Sequence, residues 1–191
     1  MNLVCAPIDS NFKVRLVLMA YCHAIEMDFI YNIVANMIKI SKGQRYSTDC
    51  FFELKRNKKR MISPADKIKK ILEWTQGTSY ESIGKVFKQI HQREVRNAFD
   101  HSDYVIYKDA FHIKSTSKSY PLELLLPILT LGINTASLLI QKVVKRIQSY
   151  KESKMILLPP NHAFGSEDHA GVRLLVEPDY GLIGFESVIK R

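Results

Sequence analysis

The stretch Arg93-Glu94-Val95-Arg96-Asn97-Ala98-Phe99-Asp100-His101-Ser102-Asp103-Tyr104 decides how the chain is read. It continues the apolar line of a helix opened by Thr78-Ser79-Tyr80-Glu81, whose Thr and Glu have capping character. Ile83, Phe87, Ile90, Glu94, Asn97 and His101 step by three and four and share one broad helical face. That face begins apolar and turns polar in its last two turns, with Arg93 and Arg96 on its flank. A polar cluster at the end of a buried stripe is either a satisfied core network or a site. Periodicity does not choose between the two.

The chain on the N-terminal side also reads as helix. Leu16, Ala20, His23, Met27, Ile30, Val34 and Met37 form one stripe, closed by Lys42-Gly43. Ser63-Pro64-Ala65-Asp66 is a helix start, with Ser at the cap and Pro in the first turn. The helix it opens carries Ile68, Ile71, Leu72 and Trp74 and stops at Gly77. On the C-terminal side, Tyr104–Tyr107 and Ala110–Ile113 read as a hairpin around Lys108-Asp109. Residues 115–119 read as a polar loop. Pro121 opens a long helix to about Lys154, with Leu122, Leu126, Leu129, Ile133, Ala136, Ile140, Val143 and Ile147 in line. Val172–Val176 and Leu182–Val188, bridged by Pro178-Asp179-Tyr180-Gly181, read as a second hairpin. The expected architecture is mainly α: a helical bundle over residues 1–154 with a hairpin inserted near 104–114, then a β-rich extension over 155–191.

Composition narrows the function classes. The 191 residues are 46% apolar and 25% charged, which excludes a disordered or fibrous chain. The net charge is +9. Residues 42–70 hold Lys42, Arg45, Lys55, Arg56, Lys58, Lys59, Arg60, Lys67, Lys69 and Lys70 against Asp49, Glu53 and Asp66, which is +7 of that excess. Clustered positive charge suits a polyanion or an acidic partner better than a neutral metabolite. Cys5, Cys22 and Cys50 share no metal-binding or redox spacing, which points to a reducing, cytoplasmic setting. The first ten residues lack the basic start and apolar core of a signal peptide. Leu124–Ile140 is uncharged, but Pro127, Thr130, Asn134, Thr135 and Ser137 interrupt it. It reads as a helix buried on most sides in a bundle or dimer, with no membrane partner.

Arg96-Asn97-Ala98-Phe99-Asp100-His101 resembles the signature of the HEPN superfamily, in which Arg, a polar residue and then His stand late in a helix of an all-α bundle. The resemblance covers about residues 12–154. It implies a HEPN-like bundle acting as a homodimeric, metal-independent endoribonuclease of toxin or defence type. Arg96 and His101 would be catalytic with Asn97 in support, Arg93 would contact the RNA, and Glu94 and Asp100 would stand around them. RNA would be the substrate, and an antitoxin or regulatory protein a further partner; no cofactor is implied. The family also has non-catalytic RNA- or protein-binding members. Some HEPN toxins carry a modifiable Tyr two residues after the His, whereas Tyr104 stands three after His101.

The residue chemistry suits that expectation. Attack of a ribose 2′-OH on its own phosphate needs a group to handle protons and a cation to steady the phosphorane. His101 fits the first role and Arg96 the second, through its fork of donors. Asn97 would hold a phosphate oxygen or orient His101. Residues five apart lie about 140° apart on an ideal helix, so a two-fold partner is needed to converge them. The alternative for His101 is a helix-capping histidine at the negative end of the dipole. Lys55, Arg56, Lys58, Lys59 and Arg60 would contact RNA phosphates, with Phe51 and Phe52 beside them for stacking; the alternative is a solvated loop or helix face. His23 and Glu26 read as a buried hydrogen-bonded pair. His162, Glu167, Asp168 and His169 match no metal-binding spacing, and no metal site is assigned.

Overall fold

The computed structural model describes residues 9–55, 58–157 and 169–189. The chain is mainly α with small sheets, and divides into two compact units, Met1–Ser137 and Leu138–Arg191.

The first unit opens with α1 (Ser10–Glu26) and α2 (Asp28–Ser41). The sequence predicted one helix here, but Met27 is extended (φ −64°, ψ 102°) and the two segments meet at 46°. Tyr31 explains how the break is sealed: its buried hydroxyl donates to the carbonyl of Ile25, 2.8 Å away. The buried face of α1 also differs from the expected stripe. Val14, Leu18, Tyr21, Cys22 and Ile25 point inward, while Leu16, Ala20 and His23 face solvent. Both faces of this helix are apolar, so periodicity has no preferred solution.

The segment after α2 forms a hairpin of β1 (Phe52–Lys55) and β2 (Lys58–Met61), where a loop or helix face was expected. Phe51 anchors it. The ring is fully buried, edge-on to Tyr31 at 6.4 Å and tilted on Trp74 at 5.7 Å. Phe51 is therefore a core residue and offers no surface for base stacking. α3 (Pro64–Thr75) starts as its cap predicts, with the Ser63 hydroxyl accepting from the Asp66 amide. The Lys67 ammonium is buried, paired with Asp28 and 5.5 Å from the Tyr31 ring centre.

α4 (Glu81–Ile90) and α5 (Arg93–Asp100) replace the single helix expected over this region. The chain leaves helical geometry at His91 and Gln92. A buried tyrosine again seals the break. The Tyr21 hydroxyl donates to Ile90 O at 2.7 Å and accepts from Gln92 N at 2.8 Å. It thereby partners one carbonyl left over by α4 and one amide at the start of α5.

β3 (Tyr104–Tyr107) and β4 (Ala110–Ile113) form the expected hairpin. Lys108 and Asp109 both have positive φ, 48° and 54°, as a two-residue hairpin turn demands without its favoured glycine. β5 (Ser119–Pro121) adds a third strand where sequence suggested only loop and helix start. α6 (Leu122–Gln148) then crosses from the first unit into the second. Leu122, Leu125, Leu129, Gly132 and Ala136 are its buried line. Gly132 sets that line, because a Cβ there would stand 3.1 Å from the Tyr21 ring.

Buried residues make up 22% of the most apolar stretch of α6, and Leu124, Leu138 and Val144 are exposed, so the described residues do not cover the helix on most sides. By length and composition α6 is apolar enough to cross a membrane. In the second unit, β6 (Met155–Leu157), β7 (His169–Glu177) and β8 (Gly181–Ile189) form an antiparallel sheet with β7 central. The expected hairpin is β7–β8; β6 was not foreseen.

Candidate functional site

α5 is a helix of eight residues held at both ends by the small sheet. Near its start, the Glu94 carboxylate accepts from Lys118 Nζ at 2.6 Å and from the Tyr120 hydroxyl at 2.5 Å. These bonds hold the Glu94 carboxyl below the usual carboxylate range, and burial together with Glu94 raises the Tyr120 phenol to about 12. Past its end, Ser102 has φ 55°, and the amides of Ser102 and Asp103 bond back to Phe99 O and Ala98 O. This is a Schellman closure with serine where glycine is usual. The Asp103 carboxylate then accepts from the Ser115 amide and hydroxyl. Phe99, Tyr104 and Phe111 continue the join as a run of rings 5.5 and 5.0 Å apart. A helix too short to be stable alone is thus fixed by tertiary partners.

Arg96 is mostly buried, and its Nη2 donates to Asn97 Oδ1 at 2.8 Å. Its Nε lies 3.9 Å from the Glu26 carboxylate of α1 and 3.8 Å from that of Asp100, too far for hydrogen bonds. Among the described residues this buried Nε has no hydrogen-bond partner. Cys22 lies in the same cluster, its thiol pushed up to about 12 by burial and then by Asp100 and Glu26. It is a protonated, unreactive group. His101 is the C-cap of α5, exposed, with its amide on Asn97 O. No hydrogen bond or ion pair joins its side chain to Arg96.

The structure thus brings Arg96 together with Asn97, Asp100 and Glu26, and leaves His101 at the end of the helix. Arg93 and Glu94 are exposed on the first turn, Glu94 turned to the sheet. His23 and Glu26 are not the buried pair expected: both are exposed and no bond links them. Glu26 instead faces Arg96, because the inward face of α1 is rotated from the predicted one. His91 was not foreseen. Both its ring nitrogens are buried without a partner among the described residues, and burial, with Arg96 and Arg93, holds its pKa below the usual value. The break at residue 91, invisible to periodicity, gives this histidine its place.

The basic segment lies on the β1–β2 hairpin. Lys55 ends β1, while Lys58, Lys59 and Arg60 lie in β2, and Arg60 is exposed opposite Glu53. Arg56 lies outside the described residues, as do His162, Glu167 and Asp168. Among the described residues, no group of three or more His, Cys, Asp or Glu side chains is gathered to hold a metal. Compared with protein-family models, with curated proteins and with solved structures, the chain matches none.

Proposed function

We propose that the chain is a HEPN-like, metal-independent endoribonuclease that acts as a homodimer. The observation that carries this reading is the arrangement of α5. Arg96 and Asn97 are bonded side by side on a helix clamped at both ends, and the exposed His101 side chain stands at its terminus. In the reaction, His101 takes the proton of a ribose 2′-OH as that oxygen attacks the adjacent phosphorus. Arg96 steadies the phosphorane charge, and the bond from phosphorus to the 5′-oxygen breaks as that oxygen takes a proton from the imidazolium so formed. Positioned acid–base catalysis of this kind contributes about 10²–10⁴-fold. A second copy supplies the convergence that one α5 lacks. The apolar side chains Phe12, Leu16 and Met19 on α1, the helix packed on α5, are surface that such a copy would bury.

The loose ion pairs of Arg96 with Glu26 and Asp100 favour a second reading, an RNA- or protein-binding dimer without catalysis. Two carboxylates near the guanidinium offset the charge a phosphate would meet. Incubating the protein with total cellular RNA in EDTA separates the readings. Endoribonuclease action leaves 2′,3′-cyclic phosphate and 5′-hydroxyl ends, stops at a 2′-deoxy nucleotide, and is lost in His101→Ala and Arg96→Ala with the helical circular dichroism retained. Strict dependence on magnesium, or equal cutting of DNA, sinks the mechanism. A folded dimer that binds RNA and cuts none supports the second reading.

A further inference from the structure

Where α2 ends, a concavity of about 350 Å³ opens, lined in part by Lys39, Lys42, Ser47, Asp49 and Trp74. It lies apart in sequence from the residues assigned to cleavage, and its size is that of a small-molecule site. Its walls are built. Gly43 (φ +70°) closes α2, with the Gln44 amide on Lys39 O at 2.9 Å. The loop that follows is clasped by the buried Asn36 amide, which donates to Ser47 O at 2.9 Å and accepts from Ser47 N at 2.8 Å. Lys42 Nζ reaches across to Trp74 O at 2.6 Å, leaving two of its three donors. Trp74 is half-buried and braced by Phe51.

The lining carries two lysines against one carboxylate, and Lys42 belongs to the 42–70 segment that holds most of the chain's excess charge. We propose that this concavity binds a planar base bearing a phosphate monoester, with the phosphate on Lys39 and Lys42 and the base against Trp74. Ammonium groups serve phosphate as point charges, and an indole supplies a stacking surface that any base can use. A free nucleoside monophosphate and a 5′-phosphorylated RNA end share this chemistry. The inference goes beyond the cleavage reading and does not depend on it.

Trp74 is the chain's one tryptophan, so its fluorescence reports on this wall alone. Titration with AMP is expected to give a saturable change, at least tenfold weaker with adenosine or inorganic phosphate. Lys39→Gln weakens AMP binding about tenfold, the loss of one charge-assisted bond. Tighter binding of a 5′-phosphorylated tetraribonucleotide than of AMP assigns the site to RNA ends, and the reverse assigns it to free nucleotide. His101→Ala, which tests cleavage, leaves the titration unchanged. The proposal is overturned if AMP produces no saturable change at millimolar concentration, or if folded Lys39→Gln binds it as the parent does.

Discussion

Replacing Tyr21 by Phe removes one oxygen atom and tests how α5 is positioned. The ring stays, so the contact with Gly132 and the volume of the core are kept. Two backbone groups lose their partner, the carbonyl of fully buried Ile90 and the amide of half-buried Gln92. An unsatisfied buried polar group costs about 1–3 kcal/mol. Gln92 has some access to water, and the variant no longer desolvates a hydroxyl, so both groups fall at the low end. The expected loss is about 2 kcal/mol in sum. With a urea dependence of about 2 kcal/mol per molar, the unfolding midpoint falls by about 1 M. Trp74 fluorescence follows this transition in the helical unit.

A second signature follows from the Tyr21 phenol, which burial raises to about 12. Its contribution is fully present below the unfolded value near 10 and is lost as pH rises through about 12. The parent sheds this contribution in that window and the Phe variant has none to shed there from residue 21. A midpoint unchanged within about 0.2 M urea, equivalent to less than about 0.5 kcal/mol, would refute the idea that Tyr21 holds the break between α4 and α5.

Other perturbations test separate parts of the structure. Ser102→Gly relieves a left-handed backbone position and is expected to stabilise by about 0.5–1 kcal/mol, read as a higher midpoint in thermal unfolding. Its absence would mean that Ser102 does not close α5 as described. His91 is held below its usual pKa, so its neutral form supports the fold fully above about pH 6.5. That contribution is lost as pH falls through the depressed folded value. His91→Leu should flatten the acid limb of stability between pH 7 and 5, and an unchanged limb would place the histidine in water. Neutralising Lys58, Lys59 and Arg60 together should weaken binding to unrelated RNAs alike and reduce the slope of affinity against salt. An unchanged slope would assign the hairpin charges to solvation.

Local signals in the sequence were sufficient wherever the chemistry of an element is carried by adjacent residues. Ser63-Pro64 starts α3 because hydroxyl and ring act within one turn. Lys108-Asp109 turns a hairpin because the strands on either side alternate in register. The motif Arg96-Asn97-…-His101 was singled out by its family resemblance; the local pattern placed it late in a helix, and the structure places it on the separate α5 with His101 at its C-cap. Tertiary structure decided what the pattern left degenerate. α1 is apolar on both faces, so only packing could select Tyr21 and Cys22 as inward and leave Leu16 and His23 outside. That choice puts Glu26 beside Arg96. The breaks at Met27 and at His91-Gln92 carry no proline or glycine. They exist because the hydroxyls of Tyr31 and Tyr21, distant or oppositely directed in sequence, satisfy the backbone groups a break exposes. Tyr31 lies six residues from its carbonyl, but Tyr21 reaches Ile90 and Gln92 across about seventy residues, so that partner exists only once α1 has packed on the break.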